Sequence, residues 1–254
     1  MAGVVDSTLV KGLSVLQAAA DSSECGVSEL AERLELHRSE VHRLLGTLVR
    51  EGYMGRRPNG RYAPTLKVWE LGVKVHQRID LRPSAISAMR RLADATRETV
   101  HLSVLDGWEV LYVEKIDSPE PVRAYSELGG RAPAYAVATG KAMLAHTALD
   151  GLPPFAPLRF TPTTIQDLGS LEEHFKTVRN QGYAINLGEW RADVAGLAVP
   201  ILCKDGVVVG AIGISGPRQR LTDKALRAAV PLVKMAANEV YNRLTGAPGG
   251  QNAA

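Results

Sequence analysis

Residues 26–52, GVSELAERLELHRSEVHRLLGTLVREG, carry two apolar stripes at helical spacing with a short polar break between them. Val27, Leu30, Ala31 and Leu34 fall at offsets 0, 3, 4 and 7, and Val41, Leu44, Leu45 and Leu48 repeat those offsets. That pattern lines one face of a 3.6-residue helix. Ser28 and Ser39 are placed to cap the two helices, and Gly52 is placed to stop the second. Two short helices joined by about four residues predict a helix-turn-helix.

Upstream, Leu9, Leu13, Leu16 and Ala20 mark an earlier helical stripe. Downstream, Tyr53 to Arg56 and Arg61 to Ala63 flank Pro58-Asn59-Gly60, a turn cluster that predicts a short basic hairpin against the second helix of the motif. Residues 1–64 therefore read as a winged helix-turn-helix. The charge supports this. Between residues 36 and 61 the arginines 38, 43, 50, 56, 57 and 61 face only Glu40 and Glu51, whereas the whole chain carries a formal net charge of +3. A recognition helix puts its N-terminal side chains on base edges while flanking basic groups hold phosphates. Ser39, Glu40, His42, Arg43 and Thr47 lie off the apolar stripe. Arg38 and Arg43 suit bidentate donation to guanine, and Glu40 suits a cytosine amino group. Arg56, Arg57 and Arg61 sit on the wing, where they would meet the backbone or the minor groove. Ser28 completes the candidate DNA-contacting set.

From Thr65 a helical pattern through Leu66, Trp69 and Val73 predicts a linker helix over 65–80, and Pro83 suits the first turn of a further helix carrying Ile86, Met89 and Ala93. The period then switches to two. Val100, Leu102 and Val104 alternate with polar residues, followed by Asp106-Gly107 and the strand-like run Trp108 to Lys115. Ala198 to Leu202, Asp205-Gly206 and Val207 to Ile214 repeat the device, with helical segments Thr139 to His146 and Ser170 to Gln181 between the hairpins. A last seam, Leu226, Val230, Val233, Ala237, Val240 and Leu244, contains Pro231, which should kink the helix or mark its true start. The fold class is α/β, of the α+β kind: an antiparallel sheet with helices over 81–245, then a disordered tail over 246–254.

Composition narrows the function. The chain has 254 residues, 45% of them hydrophobic and 22% charged, which is ordinary for a globular protein. No run approaches the roughly 18 apolar residues of a spanning helix, and Met1 to Thr8 lacks the pattern of a signal peptide, so a cytoplasmic location with no membrane partner is expected. Cys25 and Cys203 are too few and too far apart for a disulfide framework or a zinc knuckle. The six histidines form no metal motif, His101 reads as a half-buried core group, and no cofactor is expected. Gly140-Lys141-Ala142 fails as a P-loop, because Tyr135 and Ala142 stand where Gly and Ser or Thr belong. Pro217 spoils a nucleophile elbow at Ser215, and Gly206, Gly210, Gly213 and Gly216 miss the dinucleotide spacing. Not an enzyme is thus the expectation. A metabolite-acting enzyme and an effector-independent architectural DNA-binding protein stay open as rivals.

The chain resembles the IclR family of bacterial transcription regulators over nearly its whole length. The residues that carry the likeness are Gly26 to Arg33, Val41 to Leu45, Leu48 to Tyr53 and Arg61-Tyr62. In the C-terminal part they are Gly130 to Ala142, Gly182-Tyr183 with Glu189, Ala198 to Ile201 and Ile214 to Pro217. The resemblance implies a GAF-like effector domain and a homodimer or homotetramer. It also implies binding to a palindromic operator on double-stranded DNA with an affinity that changes when a small-molecule effector binds; a repressor is the expected function, with activation left open. It places that effector over the sheet, against Ala138, Thr139, Asn186, Glu189, Gly196, Gly213 and Ser215. Asn186, Gly196 and Gly213 stand where members that bind small keto-acids tend to present Asp, Cys and Ser. A roomier, less polar pocket is therefore expected, for an aromatic or otherwise extended organic acid. Glu35 stands where the turn often has glycine, at a cost on the order of 1 kcal/mol if its φ is positive.

Overall fold

A computed structural model describes residues 6–77, 81–203 and 205–245. The predicted tail at 246–254 and the last residues of the predicted linker helix lie outside them. The chain divides into two compact units, Met1–Ile79 and Asp80–Ala254.

The first unit opens with α1 (Ser7–Ala20), whose Thr8 and Leu9 amides donate to the Asp6 carboxylate. Its buried face is Val15, Ala18 and Ala19; of the predicted stripe only Leu16 packs against this core, whereas Leu9 is 62% and Leu13 51% exposed and Ala20 is exposed. The inward face carries the least bulk. A Cβ on Gly12 would stand 3.8 Å from Leu44 Cδ2, an ordinary contact, so Gly12 faces α3. The two motif helices are α2 (Val27–Arg33) and α3 (Arg38–Arg50). Their caps are Gly26 and His37, and Ser28 and Ser39 sit inside the first turns instead. At α2 the Glu29 carboxylate reaches back to take the Gly26 N–H at 3.0 Å, the reciprocal half of a capping box, while Gly26 has no side chain to take an amide of the first turn.

Between these helices Glu35 has φ +54°, and the Leu36 N–H reaches back to the Ala31 carbonyl at 2.9 Å. This is a left-handed helix end closed without glycine. Val41, Leu44 and Leu45 are buried as predicted, with Leu30, Ala31, Met54 and Tyr62. The wing is β1 (Met54–Arg56) and β2 (Tyr62–Pro64), paired antiparallel with Met54 opposite Pro64. Tyr62 also exchanges backbone hydrogen bonds with Cys25, at 2.8 and 2.9 Å, so the chain before α2 adds to the wing. α4 (Leu66–Gln77) follows, with Leu66 and Trp69 76% and 65% exposed.

The second unit starts with α5 (Leu81–Thr96). Next come β3 (Thr99–Asp106), β4 (Glu109–Ile116) and β5 (Arg131–Pro133). A short 3₁₀ turn (Ala134–Ala136) leads into α6 (Ala138–Leu144), and α7 (Leu168–Gln181) precedes β6 (Ala184–Leu187), β7 (Val194–Leu202) and β8 (Val208–Pro217). The six strands form one antiparallel sheet in the order β5-β4-β3-β8-β7-β6. The final helix α8 (Asp223–Thr245) packs with α5 on one face of the sheet, and α6 backed by α7 covers the other.

Pro231 lies within α8, eight residues past its start, so it is not the helix's first turn as one reading allowed; it is exposed, and Thr222 Oγ1 accepts from the Ala225 N–H at the true beginning. Leu226, Val233, Ala237 and Val240 of the predicted seam are buried. In β3 the period-two pattern is chemical and does not mark a solvent face. Thr99, His101 and Ser103 are as buried as Val100 and Leu102, because α6 covers their side. No described helix is long and apolar enough to cross a membrane.

Candidate nucleic-acid interface and ligand pocket

On the first unit, α3 leaves Arg38, Ser39, His42, Arg43 and Thr47 exposed, and Ser28 is exposed on α2. Among the described residues none of Arg38, His42, Arg43 and Arg56 has a carboxylate within ion-pair distance. Thr47 Oγ1 donates back to the Arg43 carbonyl at 3.2 Å. Glu40 is held by Lys11 of α1 at 2.7 Å, which keeps its carboxyl below the usual range and gives a first explanation for an acid in a basic window: it ties α3 to α1. On the wing, Arg57 stands 3.6 Å from Glu24. Arg61 grips both oxygens of Glu29 at 2.8 Å and donates to the Glu24 carbonyl at 3.1 Å. Arg61 thus braces the wing against α2, an engagement that no short-range pattern could reveal.

On the second unit, register brings the pocket residues together. Thr99, Ser215, Gly196 and Asn186 are cross-strand neighbours in one row over β3, β8, β7 and β6. His101 sits opposite Gly213 in the next row. Such neighbours share a face, and here it is the face that α6 covers. Between the sheet and the start of α6 lies a cavity with about 530 Å³ of atom-free space, counting its open mouth.

Six of the seven residues expected there line it: Ala138, Thr139, Asn186, Gly196, Gly213 and Ser215. Glu189 does not. Both of its carboxylate oxygens take the Lys141 ammonium, at 2.5 and 2.7 Å, with the Lys141 side chain fully buried. Burial pulls the Lys141 pKa below its ordinary value, against the upward pull of Glu189. The pair clamps α6 to the loop after β6. The same loop is held by Thr161 and Thr164, whose hydroxyls donate to the Gly188 and Glu189 carbonyls at 2.7 and 2.6 Å. Within it the Glu189 N–H donates to Asn186 Oδ1 at 2.9 Å.

The two pocket glycines differ. A Cβ on Gly213 would lie 2.5 Å from the Leu197 carbonyl oxygen and 2.7 Å from Ala198 Cβ, so the space beside it belongs to β7 and is not freed for a ligand. A Cβ on Gly196 would meet the Ile214 carbonyl oxygen at 3.0 Å.

Several lining residues escaped the sequence: His101, Tyr112, Tyr125, Ser126, Trp190 and Arg191. His101 is buried, with Nε2 2.7 Å from Ser126 Oγ and Nδ1 3.4 Å from Ser215 Oγ. Burial, helped by Lys115, pushes its pKa down to about 4, so the imidazole is neutral near pH 7. It also packs on the Tyr112 ring at 4.7 Å between centroids. Burial raises the Tyr112 phenol to about 12. A polar residue on an alternating strand was the only available signal for His101. For Arg191 there was none beyond a charge in a loop.

Comparison with known proteins agrees with this architecture. The family model described as IclR helix-turn-helix domain matches residues 8–58, and the one described as Bacterial transcriptional regulator IclR C-terminal matches residues 73–242. The chain is 34% identical over 243 residues to the HTH-type transcriptional regulator KdgR of Dickeya chrysanthemi, covering 94% of this chain and 80% of that protein. To the KdgR of Escherichia coli K12 it is 34% identical over 239 residues, covering 92% and 91%. Among solved structures, an IclR homologue of Microbacterium hydrocarbonoxydans in complex with 4-hydroxybenzoate superposes with a TM-score of 0.79 at 27% identity, over 94% of this chain and 100% of that one. The Thermotoga maritima IclR gives 0.77 at 28% identity, over 93% and 98%. With both its N-terminal and its C-terminal part matched, the chain belongs to the IclR family of bacterial transcriptional regulators.

Proposed function

We propose that this regulator acts as a repressor on a palindromic operator in double-stranded DNA, and that a small organic acid, aromatic or otherwise extended, controls its operator affinity from the cavity of the second unit. The observation that carries this reading is the cavity's lining. It combines aromatic rings (Tyr112, Tyr125, Trp190) with hydroxyls and one guanidinium, and no carboxylate side chain faces into it. A site of that kind suits an apolar body with an anionic end. The 4-hydroxybenzoate held by the Microbacterium relative supports the same class of ligand.

Arg38, Ser39, His42, Arg43 and Thr47 contact bases in this reading, with Arg56 and Arg57 on phosphates and Ser28 beside them. Arg61 and Glu40 act by holding the wing and α3 in place. Ala138, Thr139, Asn186, Gly196, Gly213 and Ser215 receive the effector, and Glu189 acts through Lys141. Self-association as a homodimer or homotetramer would cover the exposed Leu66 and Trp69 of α4 and Leu9 and Leu13 of α1. No cofactor or metal enters this account.

The test of the DNA half is a pair of variants. Arg43→Ala should lower affinity for the operator and erase discrimination at one base position, worth about 1–3 kcal/mol. Arg57→Ala should weaken all sequences alike and flatten the salt dependence by about one unit of slope. Equal effects from both would overturn this division. For the ligand half, a library of organic acids is screened by thermal melting. A ligand at 100 times its dissociation constant adds about 2.7 kcal/mol to the folded state. A library without any such shift would count against an organic-acid effector.

A further inference from the structure

The polar atoms around the cavity divide into those the protein already uses and those it leaves open. His101 is engaged on both ring nitrogens by Ser126 and Ser215, Asn186 Oδ1 takes the Glu189 N–H, and the Ser126 carbonyl takes Lys115 at 2.6 Å. Tyr112 and Thr139, each only 7% exposed, have hydroxyls with no hydrogen-bond partner among the described residues. A hydroxyl that lines a cavity and bonds nothing in the protein is free to donate to and accept from whatever enters it. These two hydroxyls, Tyr112 on the sheet side and Thr139 on the α6 side, mark places where ligand oxygens belong.

Arg191 stands at the mouth of the same cavity. Its guanidinium lies 4.6 Å from the Trp190 ring centroid, and Nη1 donates to the Tyr125 carbonyl at 3.2 Å. No carboxylate lies within ion-pair distance of it among the described residues. The guanidinium lies over the indole, and most of its five N–H donors remain available. Its charge reaches Tyr112, where it opposes the upward push of burial on the phenol. With His101 neutral, this guanidinium is the positive charge that the lining presents.

We infer that Arg191 and Tyr112 together form a carboxylate clamp at one end of the cavity, making them the residues that select an anionic ligand over its neutral isostere. The inference rests on the effector reading above and assigns the discrimination to two side chains. A carboxylate offers two oxygens, enough to accept from the guanidinium fork and from the phenol at once. Thr139 is then left for a second polar group elsewhere on the ligand.

The test uses the full-length protein and titration calorimetry with 4-hydroxybenzoate, benzoate and benzamide, the last being a near-isosteric neutral partner of benzoate. Wild type should bind the two acids and prefer benzoate to benzamide. Arg191→Gln should lower benzoate affinity about 10- to 100-fold, the range of a hydrogen bond to a charged group, with benzamide changed less than threefold. Arg191→Lys should fall between, and Tyr112→Phe should also weaken benzoate selectively. Retained benzamide binding shows that the variants keep an intact cavity. Benzoate binding unchanged in Arg191→Gln, or acid and amide losing equally, would overturn the clamp while leaving the effector reading standing. If wild type binds none of the probes, the organic-acid reading itself falls, and the clamp with it.

Discussion

Replacing Glu189 by Gln should strand the Lys141 ammonium inside the second unit, and the size of the loss can be worked out. The Lys141 side chain is fully buried and both carboxylate oxygens of Glu189 are on its Nζ. Removing one partner of such a pair leaves an uncompensated buried charge and costs about 3–5 kcal/mol. For a unit of this size that is a drop of roughly 6–20 °C in melting temperature, at ~2–4 °C per kcal/mol.

The pH dependence has a definite sign. Burial sets the folded pKa of Lys141 below its ordinary 10.5, so between those two values the unfolded chain binds the proton better and stability rises with pH. Without Glu189 the folded pKa falls further and that window widens downward. The deficit of Glu189→Gln should therefore shrink as pH approaches 10. Lys141→Met added to Glu189→Gln removes the stranded charge and should recover more than half of the loss. Urea unfolding in a Trp69→Phe background reads this directly, since Trp108 and Trp190 both report on the second unit. A Glu189→Gln protein within about 1 kcal/mol of wild type, or a double variant no more stable than the single one, would refute the reasoning.

Three further outcomes are expected. His101, with its pKa near 4 when folded, opposes protonation, so stability should be full above about pH 6.5 and fall as pH drops from 6.5 to 4. His101→Gln should lower that slope by about 1.4 kcal/mol per pH unit in urea titrations, and an unchanged slope would contradict the assignment. Gly213→Ala puts a Cβ 2.5 Å from the Leu197 carbonyl oxygen and should cost about 1–3 kcal/mol by overpacking, more than Gly196→Ala; the reverse order in unfolding free energies would tell against this packing. Glu35→Gly relieves a φ of +54° and should stabilise the first unit by about 1 kcal/mol, with no gain in melting temperature as the contrary result.

What could be read from the sequence follows from what local patterns encode. The helices of residues 27–50 were visible because their apolar offsets match one helical face, and both hairpins of the sheet were visible through Asp-Gly turns. Periodicity favours large residues and so points to the Leu9–Leu13 side of α1, which the fold leaves exposed. Val15, Ala18 and Ala19 are inside, with Leu16 packed beside them, while Leu9 and Leu13 stay exposed. The polar side of β3 looks like a solvent face on any alternation rule, and only α6, added later in the chain, buries it. Lys141 and Glu189 are 48 positions apart, and Arg61 and Glu29 are 32 apart. No spacing rule connects such pairs, so the sequence offers Glu189 to a ligand and Arg61 to DNA, whereas the fold turns their charged groups toward internal partners. The pocket positions came from family likeness. Arg191 and Tyr112 became legible only once the strands and loops had closed around one cavity.

In the proposed function, occupancy of the cavity in the second unit changes how tightly the first unit holds a specific DNA sequence. It is tested most directly by fluorescence anisotropy on a fragment recovered by genomic DNA capture, titrated against random-sequence competitor with and without a saturating acid from the thermal screen. The account predicts a preference over random DNA of about 10³-fold or more and a ligand-dependent change in affinity of about 5- to 150-fold. Equal binding to every fragment at low ionic strength, or a specific affinity that a cavity-bound ligand leaves untouched, would contradict it.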